Sequence, residues 1–516
     1  MSRLPASPDL DHLRKQAKRL LRAFRAHDEE AVARFRASLP AAQSRPSAYV
    51  AAQPYRLHDA QSVIAREHGF RSWLELKRHV DWCRASEAER RARWLELVFS
   101  ERERERALSL RMLEAEPGLA LGAPWLACLT GDAARLEAAL DADPDFVNRP
   151  AGPYTMPPLA LVANSQLIWE LAYAPGLLAS ARLLIGRGAD VNGRWIDPRY
   201  PDDPLSVLYC AAGRTHHPGM TQLLLEAGAD PDDNESLYHA MESSDPTCAR
   251  LLLDAGAKVA GTNAIGRALD YDRIDGLRLL LAHGSANEKG HWLHHAIRRG
   301  RSKEHVAALI AAGIDDGHAD RRGRSACKLA RLFGREDIAA LLAPAETEEP
   351  LSQAEAFVAA CSRADEAAAR AFLLDDPGLI AGLEESLQTI MPQLAAIGRT
   401  EAVRTMLALG WPREVKTAWQ ATALNLAIFV GDAVMTRLLL ESGADWQTRH
   451  GYGDNALGTL SFASQADDLG EPAPGDHAGC ARALLDHGVP LERFKPYGFS
   501  DDVQDLLDGE AAEDEA

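Results

Sequence analysis

Leucine triplets followed by glycine recur along the chain: LLIGRGAD at 183–190, LLLEAGAD at 223–230, LLLDAGAK at 251–258, LLLAHGSA at 279–286 and LLLESGAD at 438–445. Weaker copies are LIAAGID at 309–315, MLALGWP at 406–412 and LLDHGVP at 484–490. Their glycines stand 40, 28, 28, 29, 97, 33 and 45 residues apart. The gap of 97 accommodates three units, with Ala345 and Asp376 in the glycine slot of two divergent copies, and Asp143 fills the slot upstream. About eleven units result. Each triplet, with apolar neighbours three and four residues earlier, predicts the buried stripe of a short helix. The glycine predicts a left-handed C-terminal cap.

A second short helix is predicted about eleven or twelve residues ahead of each triplet, from the pattern Leu-x-x-Ala. Examples are Leu208–Ala211, Leu237–Ala240, Leu293–Ala296 and Leu424–Ala427. Gly-Asp or Gly-Arg turns the corner between the two, as at Gly131-Asp132, Gly334-Arg335 and Gly431-Asp432. Each unit reads helix, turn, helix, polar extended loop. One such unit cannot bury its own stripe, so the units must stack.

These repeats resemble ankyrin repeats, whose unit is about 33 residues with Thr-Pro-Leu-His-x-Ala opening the first helix. The clearest match is Thr422-Ala423-Leu424-Asn425-Leu426-Ala427, followed by Gly431-Asp432, the leucine triplet and Gly443-Ala444-Asp445. The motif proline is mostly missing, and only His294 keeps the motif histidine. The resemblance covers roughly residues 120–508. It implies an all-α solenoid of about ten to eleven units with short hairpin fingers, in a bacterial protein-binding scaffold.

Residues 1–85 form a different, basic helical domain. An amphipathic helix is expected over 8–26, then a loop marked by Pro40, Pro46 and Pro54, then helix–Gly69–helix over 58–80 with Ser72 as a candidate N-cap. The segment 58–80 resembles a short helical region found ahead of ankyrin repeats in many bacterial proteins. One long charged helix is expected to connect it, over 86–116, to an array at 117–508, with a disordered acidic tail at 509–516.

Composition narrows the function. With 46% hydrophobic and 26% charged residues, the chain is expected to fold. No apolar run reaches the roughly 18 residues of a membrane span, and the first twenty residues lack the apolar core of a secretion signal. Seven isolated cysteines without C-x-x-C read as reduced core thiols of a cytoplasmic protein. Residues 1–106 carry a net charge of +7 and the rest −25. The acidic body would repel phosphates, so nucleic acid is left only to the basic end.

Motifs of chemistry are few. The sequence has no P-loop, no G-x-G-x-x-G after a strand, no H-E-x-x-H and no G-x-S-x-G. His291, His294 and His295 could share a helical face, but no cysteine or carboxylate completes a metal set. No cofactor and no enzyme activity are expected. His216-His217 reads as a solvated corner, and ERERERA at 101–107 as a solvated helix face with Glu101–Arg104 and Glu103–Arg106 pairs.

Enlarged loops are the better lead, because loops on a rigid scaffold carry binding. The finger at 192–204 offers Arg194, Trp195, Arg199 and Tyr200 as interface anchors, or else folds back with Trp195 as core. Insertions lie near 164–178, which reads as core or a docked flap, and 464–478; a second finger offers Trp446, His450 and Tyr452. The expected function is non-catalytic binding of another protein bearing a basic patch, by a monomer. The alternative is a nucleic-acid-linked regulator in which residues 1–82 contact DNA or RNA through Arg71, Lys77 and Arg78.

Overall fold

A computed structural model describes residues 4–5, 8–39, 42–70, 73–197, 201–284, 291–314, 319–342, 350–465 and 475–514. Helix accounts for 61% of the structure and strand for 1%, so the fold is all-α. The chain forms two compact units. One comprises Met1–Arg90, Trp419–Gln465 and Gly475–Ala516; the other holds Arg91–Ala418.

The larger unit contains nine helix pairs among its described residues, from Trp125–Thr130 with Ala133–Ala142 to Ile390–Ala396 with Thr400–Ala408. First helices largely pack on the first helices of neighbouring pairs, and second helices largely on second helices, although Gln353–Ser362 packs instead on the second helix Thr400–Ala408. Within the pair Ser236–Ala240 and Thr247–Asp254, Leu237, Ala240, Leu252 and Leu253 are buried, as the pattern predicts. The eight cap glycines all have positive φ, between 79° and 140°.

Two helices, Glu87–Val98 and Glu103–Ala115, replace the single charged helix expected over 86–116. The chain breaks at 99–102, and ERERERA is partly docked, with Glu101 and Glu103 still exposed. Arg106 Nε meets Glu170 at 3.0 Å, and Glu101 accepts from Arg214 Nε at 2.8 Å. The insertion near 164–178 is a docked flap. Its turn Gln166–Trp169 buries Leu167 and Ile168, and the Trp169 indole N–H donates to Thr215 O at 2.8 Å.

In the smaller unit, the helix Leu10–Arg25 buries Leu13, Ala17, Leu20, Leu21 and Phe24, and Asp9 caps it by accepting from His12 N–H at 3.0 Å. A helix over Glu29–Ser38, absent from the sequence expectation, brings Phe35 against Phe24 and Tyr55, with ring centroids 4.4 and 5.1 Å away. Trp73 is buried, and Arg90 lies over the half-buried Trp82 ring. Arg71, Arg78 and Ser72 fall outside the residues whose side chains are described.

The acidic tail is not disordered up to Asp514: it continues the helix Asp501–Asp514. Glu510 sits between Arg482, at 2.7 Å, and Arg56, at 3.6 Å, so the carboxylate finds one cation on a repeat helix and another in the basic domain. The same unit includes the pairs Ala423–Phe429 with Ala433–Glu441, and Ala456–Gln465 with His477–Asp486.

The corner glycines do more than turn the chain. At Gly431, φ is +66° and an added Cβ would lie 2.5 Å from Gly475 Cα, a backbone atom that cannot yield. Gly131 and Gly334 meet the backbones of Leu177 and Ser362 in the same way. Gly431→Ala should therefore destabilise by more than the roughly 1–2 kcal/mol of left-handed strain alone. Gly488→Ala, at φ +88° with open space around it, supplies the strain-only control. Equal losses in urea melts of the two variants would refute the close-approach account.

Candidate functional site

The finger at 445–456 is a pinned hairpin. Asp445 accepts from Gln447 N–H at 2.9 Å, and Ala456 N–H crosses to Trp446 O at 3.1 Å, tying the base. Near the tip, His450 N–H donates to Asp454 O and Gly453 N–H to His450 O, both at 2.9 Å. Tyr497 donates its hydroxyl to Asp454 Oδ1 at 2.9 Å, anchoring the returning strand. His450 Nδ1 accepts from Tyr452 N–H at 3.2 Å, which a neutral ring can do and an imidazolium cannot. Burial lowers the His450 pKa and favours that form.

This geometry holds Tyr452 out. Its side chain is 82% exposed, and beside it stands Trp419, 68% exposed, with ring centroids 6.4 Å apart. The two tips are laced by Gly451 N–H donating to Trp419 O at 3.0 Å. Any side chain at Gly451 would meet that oxygen at 2.7 Å. Trp419 and Tyr452 stand 33 residues apart, one repeat length, and so occupy the same place in consecutive units. The same offset relates Phe429 and Phe462, whose rings stack 6.3 Å apart at 11° on successive first helices. Phe462 is 60% exposed. Trp446 is half-buried at the finger base, with His450 half-buried between base and tip.

Trp446, His450 and Tyr452 stand out in the sequence, whereas Trp419, Phe429 and Phe462 emerge in the fold. The signal was available as an aromatic recurring at the repeat offset.

The long finger at 192–204 behaves differently. Arg194 and Trp195 form a short strand antiparallel to Leu205–Ser206, with Trp195 opposite Leu205. Alternation along the strand sends Arg194 and Ile196 outward and Trp195 inward, where it is 5% exposed. Trp195 is thus core and not a presented anchor. Arg194 is exposed and donates to Pro204 O at 3.3 Å, while Arg199 and Tyr200 lie outside the described residues.

His216 and His217 do not form a solvated corner, and His294 and His295 turn to different partners. His217 Nδ1 caps the helix Pro218–Glu226, accepting from Met220 N–H at 3.1 Å. His216 is partly buried and bonds Ala212 O through Nδ1 at 2.9 Å. His294 is buried and reaches Arg324 O at 2.9 Å, whereas His295 pairs with Asp270 at 2.7 Å. Six of the seven cysteines are buried and Cys83 is exposed.

His239 lies between two carboxylates, with Nδ1 2.7 Å from Glu242 and Nε2 3.3 Å from Glu235. Burial lowers its pKa, but the two carboxylates outweigh burial and hold it at about 9. That folded value lies above the ordinary 6.5, so the stabilisation is complete below about pH 6.5 and is lost as pH rises through 9. Wild-type stability should fall relative to His239→Gln across that window. Parallel urea midpoints for the two proteins between pH 6.5 and 9.5 would refute the coupling.

No family model matches the chain, and no curated protein matches it. Among the described residues, no helix is long and apolar enough to cross a membrane.

Proposed function

We propose that the chain is an ankyrin-type repeat protein that binds another protein without catalysis. The observation that carries this reading is the two-row aromatic ladder of Trp419 and Tyr452 at adjacent fingertips and Phe429 and Phe462 on the matching first helices. In the fold the repeats resemble, fingers and first helices line one concave face. Large aromatics such as the exposed Trp419, Tyr452 and Phe462 are the residue class that dominates interface energetics, and each has only two side-chain torsions to order on binding. The net charge of −25 over residues 107–516 favours a partner with a basic patch.

The test is affinity capture from the native cell extract, using the intact chain and its Trp419→Ala/Tyr452→Ala double variant side by side. A protein retained by the first and lost by the second supports the reading. A partner retained equally by both would move the binding surface elsewhere.

A further inference from the structure

Glu101, His216 and Glu242 are brought together by a local irregularity of the larger unit. Residues Cys210–Arg214 form a turn of π-helix, in which Thr215 N–H reaches back five residues to Cys210 O at 3.0 Å. The Thr215 hydroxyl lies buried within 3.3 Å of the carbonyls of Ala163, Cys210 and Ala211. His216 follows with φ +49°, a left-handed conformation that a non-glycine residue adopts at a cost. Single π-turns of this kind concentrate at functional sites.

Gly213 completes the approach. A Cβ there would lie 2.7 Å from the Tyr209 ring and 2.8 Å from His239 Cβ, so only glycine lets the next repeat come this close. That contact brings Glu242 to His216 from one side. Glu101, in the break between Glu87–Val98 and Glu103–Ala115, arrives from another. One ligand atom from each of the three lies within 4.8 Å of the others.

The donor chemistry is that of a cation site. His216 Nδ1 is engaged by the Ala212 carbonyl at 2.9 Å, an acceptor that requires the proton on Nδ1. Nδ1 therefore carries the proton, and Nε2 keeps the lone pair that a cation would take. A backbone carbonyl behind the distal nitrogen is the arrangement that orients metal-ligating histidines. Glu242 takes His239 Nδ1, Arg267 Nε and Arg267 NH2 on Oε1, and Glu101 takes Arg214 Nε on Oε1. These contacts position both carboxylates through Oε1.

We propose that Glu101, His216 and Glu242 bind a borderline divalent cation of the Zn2+ class, through one imidazole nitrogen and two carboxylate oxygens. This donor set matches protein zinc ligands and leaves coordination positions for water or a ligand. The site is independent of the aromatic ladder, and the two can fail separately.

Isothermal titration of the chelator-treated, full-length chain with ZnCl2 at pH 7.5 tests it. The expected result is one saturable site with Kd below about 100 µM, accompanied by a rise in Tm. Glu101→Gln, at a partly exposed position and able to keep a hydrogen bond to Arg214, should weaken binding at least about tenfold while circular dichroism stays unchanged. Glu242→Gln should do the same where it folds. Cys83→Ser, which removes the exposed thiol 3.6 Å from His79, should leave the affinity intact. Absence of saturable binding, equal affinity in Glu101→Gln, or loss of the site in Cys83→Ser would overturn the proposal.

Discussion

Trp419→Ala is expected to weaken partner binding by about 2 kcal/mol or more, roughly 30-fold in Kd, and Tyr452→Ala by a similar amount. A ring of this size buries about 150–250 Å2 when covered. At about 25 cal/mol per Å2 that is roughly 4–6 kcal/mol before ordering and desolvation are subtracted. The ordering cost is small because Gly451 N–H ties the Trp419 backbone to the second finger and His450 holds the Tyr452 amide. Both side chains are mostly exposed, so Tm should move little; surface substitutions usually stay within about 0.5 kcal/mol. The double variant should lose less than the sum of the singles, because rings 6.4 Å apart share one contact patch. A titration in which both single variants bind like wild type would eliminate the fingertip as the interface.

Trp195→Ala should do the opposite. The indole is 5% exposed and paired across the strand with Leu205. It also lies beside the Cys210 thiol, whose pKa burial pushes up to about 12 and the indole N–H opposes. The return strand is pinned, with Ser206 capping the next helix through Tyr209 N–H at 2.9 Å and Asp233 accepting from Ser236 N–H at 2.8 Å. A neighbourhood so constrained cannot collapse to fill the void, and removing a buried tryptophan typically costs about 3–5 kcal/mol. Partner binding should survive in the fraction that remains folded. A stable Trp195→Ala protein with lost binding would restore the finger at 192–204 as the contact surface.

The helical content, the recurring helix pairs and the cap glycines were legible because each depends on local rules. A leucine triplet at helical spacing forms a stripe wherever it occurs, and a glycine ends the helix because only it adopts positive φ cheaply. The core of the helix over Leu10–Arg25 was readable for the same reason. Tryptophan in a long loop carries no such rule. Trp195 and Trp419 look alike in sequence, and only strand pairing sends one inward while the hairpin lacing leaves the other out.

The acidic tail shows the limit of composition. Its charges predict repulsion and disorder, yet Glu510 finds Arg56 and Arg482, partners separated from it by 454 and 28 residues. ERERERA likewise reads as a solvated face until Arg214 and Glu170 are placed against it. The convergence of Glu101, His216 and Glu242 is likewise invisible in the sequence, because it needs a π-turn and a glycine that admits a neighbouring helix. The period, the helices and their buried stripes could be read from the residues alone, since these follow from spacing within one unit. Which charges meet and which aromatics stay exposed were decided by tertiary structure alone, because Coulomb pairing and burial depend on distance in space between residues far apart in the chain.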